Sequence, residues 1–140
     1  MTDRVNIEIS NQLSELDRLH QTLADFCRRR GLAVEVARDL NLAVEEIVTN
    51  IITHGYADDR EHRIGVHLNL EPGEVRIDVE DDAPPFNPLE AREVDTTTPL
   101  RDRPIGGLGI HLVRKVTDGL EYKRLSGKNI FTLKKKTHGS

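Results

Sequence analysis

The sequence is poor in the residues on which several classes of protein depend. Its 140 residues include one cysteine and no tryptophan, and aromatic residues make up only 4% of the chain. A lone Cys27 cannot form an internal disulfide, so the fold must depend on its hydrophobic core, and a reducing cytoplasmic environment is expected. So few aromatic side chains also disfavour recognition of nucleic acid by stacking on bases.

Two further features are missing, a basic excess and a long apolar run. Lys and Arg number 20 against 24 Asp and Glu, which gives a net charge of −4 where nucleic-acid binding requires a basic footprint. No stretch approaches the roughly 20 apolar residues of a membrane span. The run Lys134–Lys136 indicates the solvated edge of a strand rather than a nucleic-acid patch. We therefore expect a single cytoplasmic domain over residues 1–140 that contacts neither nucleic acid nor membrane directly.

Hydrophobic periodicity predicts five strands and three helices in the order β-α-α-β-β-loop-α-β-β. Ser10 and Asn11 are the expected N-terminal caps of the first helix, and Gly31, after three arginines, is its expected end. Hairpin-connected strands with grouped helices predict an α+β fold of two layers. Residues 82–104 hold five of the six prolines without any sustained periodicity, and a loop of that length is usually functional.

The second predicted helix carries a row of polar residues beside its apolar stripe. Glu46 and Asn50 are four residues apart and share a helix face, with His54 one turn further on. An amide oxygen is a suitable ligand for Mg²⁺, and a neighbouring carboxylate can act as a general base. By spacing alone, an ordinary solvated helix face is the more frequent explanation.

Two later motifs are each weak alone. Asp81 ends a predicted strand, where its carboxylate can accept a hydrogen bond from an amino group such as that of adenine. The glycine box Gly106–Gly109 leads into the third helix, where backbone N–H groups and the helix dipole favour a phosphate. It matches neither the dinucleotide fingerprint nor the P-loop. An acidic turn and a flexible hinge are the alternative interpretations.

The order of these motifs resembles the Bergerat ATP-binding fold shared by gyrase, Hsp90, histidine kinases and the mismatch-repair ATPases. Within that superfamily, Glu45–Asn50 with His54-Gly55-Tyr56, and Gly107–Val113, are similar to the motifs of bacterial anti-sigma factor/serine-protein kinases of partner-switching systems. The resemblance covers nearly the whole chain. It implies a two-layer sandwich in which a mixed, mainly antiparallel sheet carries helices on one face.

The resemblance also implies roles for single residues. Glu46 matches the general base, Asn50 the Mg²⁺ ligand and Asp81 the aspartate that binds the adenine amino group. Asp82 is the alternative match for that aspartate, although the strand alternation and the Phe86-Asn87-Pro88 that follows favour Asp81. Gly107 and Gly109 match the glycines beneath the phosphates.

Further positions are implied with less definite roles. The loop 82–104 corresponds to the lid over the nucleotide, and His54 follows the Asn as it often does in the family. Ala83 stands where the family commonly has glycine. Arg103, or Arg101, is the candidate for an arginine that assists phosphate chemistry. The remaining residues of the glycine box expected to contact nucleotide are Gly106, Leu108 and Ile110.

The implied function is that of an ATP- and Mg²⁺-dependent serine/threonine-protein kinase. It would phosphorylate a small anti-sigma-factor antagonist, sequester a sigma factor and form a homodimer. The departure at Ala83 and Pro85 keeps an alternative open, namely a nucleotide-gated binding module of the same fold with little or no kinase activity.

Overall fold

The computed structural model of the chain describes residues 3–56, 58–85, 87 and 107–137. Five strands and three α-helices occur in the predicted order: β1 (Arg4–Ser10), α1 (Leu16–Arg29), α2 (Val34–Asn50), β2 (Arg63–Glu71), β3 (Glu74–Asp81), α3 (Gly107–Val116), β4 (Gly119–Leu125) and β5 (Lys128–Lys136). A short 3-10 turn precedes α1, and a π-helical turn, Ile51–Gly55, directly follows α2. Most of the predicted lid, residues 86 and 88–104, lies outside the described residues.

The strands form one sheet in the order β1-β2-β3-β5-β4, and each of its four pairings is antiparallel. Tight turns join β2 to β3 and β4 to β5. They contain Gly73 with φ +75° and Gly127 with φ +80°, a backbone conformation that glycine adopts without steric cost. The α+β prediction is confirmed.

One face of the sheet is buried and the other is polar. Along β3, the alternate residues Val75, Ile77 and Val79 are fully buried, as the period-2 pattern requires. The helices bury their apolar sides in the same core through Leu19, Leu23, Phe26, Leu40, Val44, Val48, Ile110 and Val113. The helices therefore cover one face of the sheet, as expected for two layers. No described helix is both long enough and apolar enough to cross a membrane.

The predicted start of the first helix is wrong, and its predicted end is confirmed. Ser10 donates from its amide and hydroxyl to Glu15, while Asn11 bonds across to the segment before β2, so neither side chain caps the helix. Gly31 has φ +66°, and the amide after it donates to the carbonyl of Cys27, which closes the helix.

The interpretation of Lys134–Lys136 as a strand edge is also wrong. β5 lies between β3 and β4, so Lys134 pairs with Arg76 on one side and Gly119 on the other. Lys135 points to the helix layer, where its Nζ lies 3.0 Å from a carboxylate oxygen of Asp39 on α2. Lys134 is thus inside the sheet, whereas Lys135 and the exposed Lys136 pair with β3 alone.

Candidate functional site

A cavity, partly open to solvent, lies where the end of α2 meets β3, β4 and β5. We call it the α2–sheet cavity. Its walls are mainly apolar, and its polar groups project from both layers of the fold. The lining residues are Ile47, Asn50, Ile51, Asp81, Tyr122, Asn129 and Phe131. The fold therefore brings Asn50 and Asp81, both singled out from the sequence, into one cavity.

Of the three polar residues predicted on α2 and the turn after it, one lines the cavity and two do not. Asn50, the last residue of α2, lines the cavity directly before the π-helical turn, a local irregularity that is frequent at functional sites. Glu46 lies one turn earlier, half-buried, and makes no hydrogen bond or ion pair with another described residue. His54 is exposed. Neither Glu46 nor His54 lines the cavity.

Asp81 is the last residue of β3 and is 5% exposed. Its Oδ1 accepts hydrogen bonds of 2.9 Å from the amide of Ala83 and from Nδ2 of Asn129. Burial raises the pKa of the Asp81 carboxyl, while these two hydrogen bonds favour its ionised form. The result is a partly desolvated acceptor at the cavity wall, suited to a donor such as an exocyclic amino group.

Asp82 lies outside this cavity. It is exposed, and its Oδ1 is 3.3 Å from Nδ1 of His62, whose Nε2 is 2.7 Å from Oδ1 of Asp58. The His62 ring stacks on Tyr56 with 4.0 Å between ring centroids. The hydrogen bond to Asp58, more than any other cause, raises the pKa of His62. Of the two adjacent aspartates, only Asp81 is placed to contact a ligand in the cavity.

Three residues that sequence reasoning missed surround Asp81. Asn129 is Asp81's direct partner across the β3–β5 pairing, and its Nδ2 also donates to the carbonyls of Ala83 (3.2 Å) and Pro84 (3.0 Å). Its Oδ1 accepts from Tyr122 Oη at 2.5 Å and from Arg124 Nη1 at 3.1 Å. Asn129 lies on the same face of β5 as the buried Phe131 and Leu133. The sequence signal for Asn129 is therefore a polar residue in a row of buried positions.

Ala83 contributes its backbone rather than a cavity-facing side chain. The residue is buried, its amide donates to Asp81, and its carbonyl accepts from Arg124 Nη1 at 2.7 Å. Gly55, in the π-helical turn, approaches it closely, since a Cβ built on Gly55 would lie 3.5 Å from Ala83 Cβ.

The glycine box begins the third helix, as predicted. α3 starts at Gly107, and Ile110 is buried in the core rather than lining the cavity. The first N–H groups of a helix have no intrahelical partner and favour anions. Gly106, Arg101 and Arg103 lie outside the described residues, as do the side-chain surroundings of Leu108.

The described residues alone do not form a divalent-cation site. The part of the chain that the structure describes holds no cluster of three or more His, Cys, Asp or Glu able to bind a metal ion. It does offer the Asn50 amide oxygen at the cavity, a hard donor that suits Mg²⁺ when phosphate oxygens and water supply the other positions. The donor set therefore fits a cation that is bound together with a nucleotide.

A model of the histidine kinase-like ATPase domain matches residues 9–135 of the chain. The chain therefore belongs to the histidine kinase-like ATPase domain family. Among its relatives, the serine-protein kinase RsbW of Halalkalibacterium halodurans is 30% identical over 110 residues, which cover 76% of this chain and 67% of that protein. The serine-protein kinase RsbW of Bacillus cereus is 24% identical over 136 residues, 94% of this chain and 84% of that one.

A solved structure agrees with the fold. The structure of the RsbU and RsbW domains of a Mycobacterium tuberculosis protein matches with a TM-score of 0.70 at 18% identity. The match covers 95% of this chain, which spans about a third of that longer one (32%). At this identity the likeness concerns the fold alone, and it confirms the antiparallel sheet layered with helices.

Proposed function

We propose that this chain is an ATP-dependent serine/threonine-protein kinase and anti-sigma factor. It would phosphorylate a small anti-sigma-factor antagonist and sequester a sigma factor. The observation that supports this most strongly is the convergence of Asn50 and Asp81 on one cavity in a chain of the ATPase family. Relatives named serine-protein kinase RsbW support the choice of kinase among the activities of that family.

In this proposal the adenine ring occupies the α2–sheet cavity. Ile47, Ile51 and Phe131 supply apolar surface for the base, and Asp81 accepts a hydrogen bond from its amino group. The phosphates extend toward the start of α3, where the amides of Gly107 and Gly109 favour negative charge. The acidic net charge of −4 gives ATP no general attraction, so these local groups must hold it.

Magnesium would be held by Asn50 together with the nucleotide. When bound, Mg²⁺ neutralises charge on the phosphates as the γ-phosphoryl group is transferred. Glu46, one helical turn before Asn50, would accept the proton of the substrate hydroxyl as the hydroxyl oxygen attacks the γ-phosphorus. The bond from the γ-phosphorus to the bridging oxygen would break in the same transfer, and ADP would leave. Glu46 makes no ion pair or hydrogen bond with another described residue, which suits a carboxylate reserved for that proton.

The test is transfer of labelled phosphate from ATP to a candidate antagonist domain encoded beside the gene. We expect Glu46→Gln to lower kcat by about 10²- to 10⁴-fold while the Kd for ATP changes by less than about threefold. Glu45→Gln is the matched control, because Glu45 lies one residue away and faces His20 at 3.7 Å instead. Transfer by Glu46→Gln at the wild-type rate would contradict the proposed role of the base.

The turn after Asp81 favours a second candidate, a nucleotide-gated binding module with little or no kinase activity. Ala83 and Pro84 are fixed through their carbonyls to Asn129 and Arg124, so this end of the lid segment is firmly attached to the sheet. This candidate predicts tight sigma-factor binding that differs between ATP and ADP, with no change in the partner's intact mass. A mass increase of one phosphoryl group would exclude it.

Two finer expectations belong to the same proposal, a homodimer and a cytoplasmic location. The family resemblance implies the first, and the second is expected from the lone Cys27 and from the lack of a long apolar run. Light scattering of the purified chain tests the first, and cell fractionation tests the second.

A further inference from the structure

We infer that Asn129, held in one orientation by Tyr122 and Arg124, is a positioning residue that sets Asp81 for recognition of the purine 6-amino group. The inference rests on the proposed nucleotide site and names residues that act through Asp81 rather than on the reacting atoms. Its basis is a hydrogen-bond network that joins the ends of β3, β4 and β5 at the cavity wall.

The network leaves Asn129 one orientation of its amide. A guanidinium group only donates hydrogen bonds, so the Asn129 atom 3.1 Å from Arg124 Nη1 must be the amide oxygen. The hydroxyl of Tyr122 donates to that same oxygen at 2.5 Å. The amide nitrogen therefore faces Asp81, whose carboxylate only accepts, at 2.9 Å. In a flipped amide, the amide nitrogen would face the donors of Arg124 and Tyr122, and the amide oxygen would face the Asp81 carboxylate.

This orientation determines what Asp81 presents to a ligand. Asn129 Nδ2 and the Ala83 amide both donate to Oδ1, which fixes the rotation of the carboxylate. Oδ2 receives neither of these bonds and is the acceptor left for an incoming donor. A purine without a 6-amino group would leave this buried Asp81 oxygen without a hydrogen-bond donor, which is costly. The site should therefore discriminate against such a purine.

The same side chains compensate for the prolines that follow. Pro84 and Pro85 have no amide hydrogen, so this turn has fewer backbone donors with which to close on itself. Instead, Asn129 and Arg124 donate to the carbonyls of Ala83 and Pro84 from the neighbouring strands. The turn after Asp81 is thus held from the sheet by side chains, and loss of either donor should loosen both the turn and Asp81.

The test compares two nucleotides in two proteins by calorimetry: ATP, and purine riboside triphosphate, which lacks the 6-amino group. We expect the wild-type chain to prefer ATP by about 10- to 100-fold, the range of a hydrogen bond to a charged group. In Asn129→Leu that preference should fall to about threefold or less, while the Kd for purine riboside triphosphate changes by less than about threefold. A purely structural role would weaken both nucleotides equally and leave the preference intact.

Further variants keep the test decisive. Tyr122→Phe should lower the preference by about threefold, and it serves in place of Asn129→Leu should that variant fail to melt cooperatively. Arg124→Met should also lower the preference, and Arg124→Lys, which keeps a donor, should restore much of it. Lys128 precedes Asn129, but its Nζ pairs with Glu80 on the opposite face of the sheet. Lys128→Gln should therefore keep the wild-type preference for ATP.

The outcomes separate the inference from the proposed function. Wild-type protein that binds neither nucleotide would overturn the proposed function and this inference with it. Wild-type protein that prefers ATP, with an unchanged preference in Asn129→Leu and Tyr122→Phe, would overturn the positioning role alone.

Discussion

Neighbouring residues of β3 and β5 place similar polar groups in two different environments. On the outer face, Lys128 Nζ lies 2.8 Å from Glu80 Oε1, with half of the lysine side chain exposed. One residue further along each strand, on the inner face, Asn129 Nδ2 lies 2.9 Å from Asp81 Oδ1, and both residues are buried. The pleat of the sheet alone separates the two pairs.

The two carboxyl groups respond in opposite directions. The hydrogen bond from Lys128 lowers the pKa of Glu80, whereas desolvation raises the pKa of Asp81. Water screens the outer pair, so its contribution to stability is small. The inner pair, Asn129 and Asp81, is buried, so each side chain needs the other, or a ligand, as its hydrogen-bond partner, because an unpaired buried acceptor is costly. The face of the sheet on which each pair lies therefore decides how strongly its carboxylate depends on its partner.

The largest expected difference between the faces concerns stability. Ile77→Ala removes a fully buried side chain from the inner face of β3 and should lower the free energy of unfolding by about 2–5 kcal/mol. Lys128→Gln, on the outer face, should lower it by less than about 1 kcal/mol. Urea unfolding measures both, and equal losses would contradict the assignment of a single buried face.

A smaller difference is expected for single hydrogen bonds. Tyr122→Phe removes the hydroxyl that donates to Asn129 and should cost about 1 kcal/mol of unfolding free energy. Glu121→Gln weakens the exposed 3.4 Å pair with Lys134 and should cost less than about 0.5 kcal/mol. The same urea series tests this, and a Glu121 effect larger than that of Tyr122 would reverse the comparison.

The smallest expected effect is the pH dependence of stability contributed by His62, which lies outside the cavity. Asp58 and Asp82 raise the pKa of His62 above its ordinary value of 6.5. Since protonated His62 is favoured in the folded state, its stabilisation is fully present below pH 6.5 and is lost as pH rises through the folded pKa. Melting temperatures of the wild type and His62→Gln should therefore differ most near pH 6 and converge near pH 9. A gap that widens with pH would contradict this sign.

Local patterns in the sequence predicted most of the fold. Alternation in β2 and β3 and the turn at Gly73 depend on residues close in the chain, so they could be recognised without the tertiary structure. The errors arose from long-range partners. The sequence predicts Asn11 as a cap of α1, but Asn11 bonds to the segment before β2. It also predicts Lys134–Lys136 at a strand edge, but β5 is inserted between β3 and β4.

The site was predicted in part for the same reason. Asn50 and Asp81 belong to motifs whose order the sequence displays, and the fold brings both to one cavity. Tyr122 and Asn129 reach it only because the β3–β5 register sets Asn129 opposite Asp81 and β4 follows on the far side of β5. Strand order and register are not local properties, so the sequence shows at most that Asn129 is polar among buried positions, and not that it meets Asp81.

The most direct test of the central claim is the Kd for ATP of the wild type, Asp81→Asn and Glu80→Gln, measured by calorimetry at one pH and salt concentration. Asp81→Asn should bind ATP at least about 10-fold more weakly, since it replaces a charged acceptor on the cavity wall. Glu80→Gln, one residue away on the outer face, should change the Kd by less than about twofold. Equal affinities for all three proteins, or a larger loss in Glu80→Gln, would contradict the α2–sheet cavity as the nucleotide site.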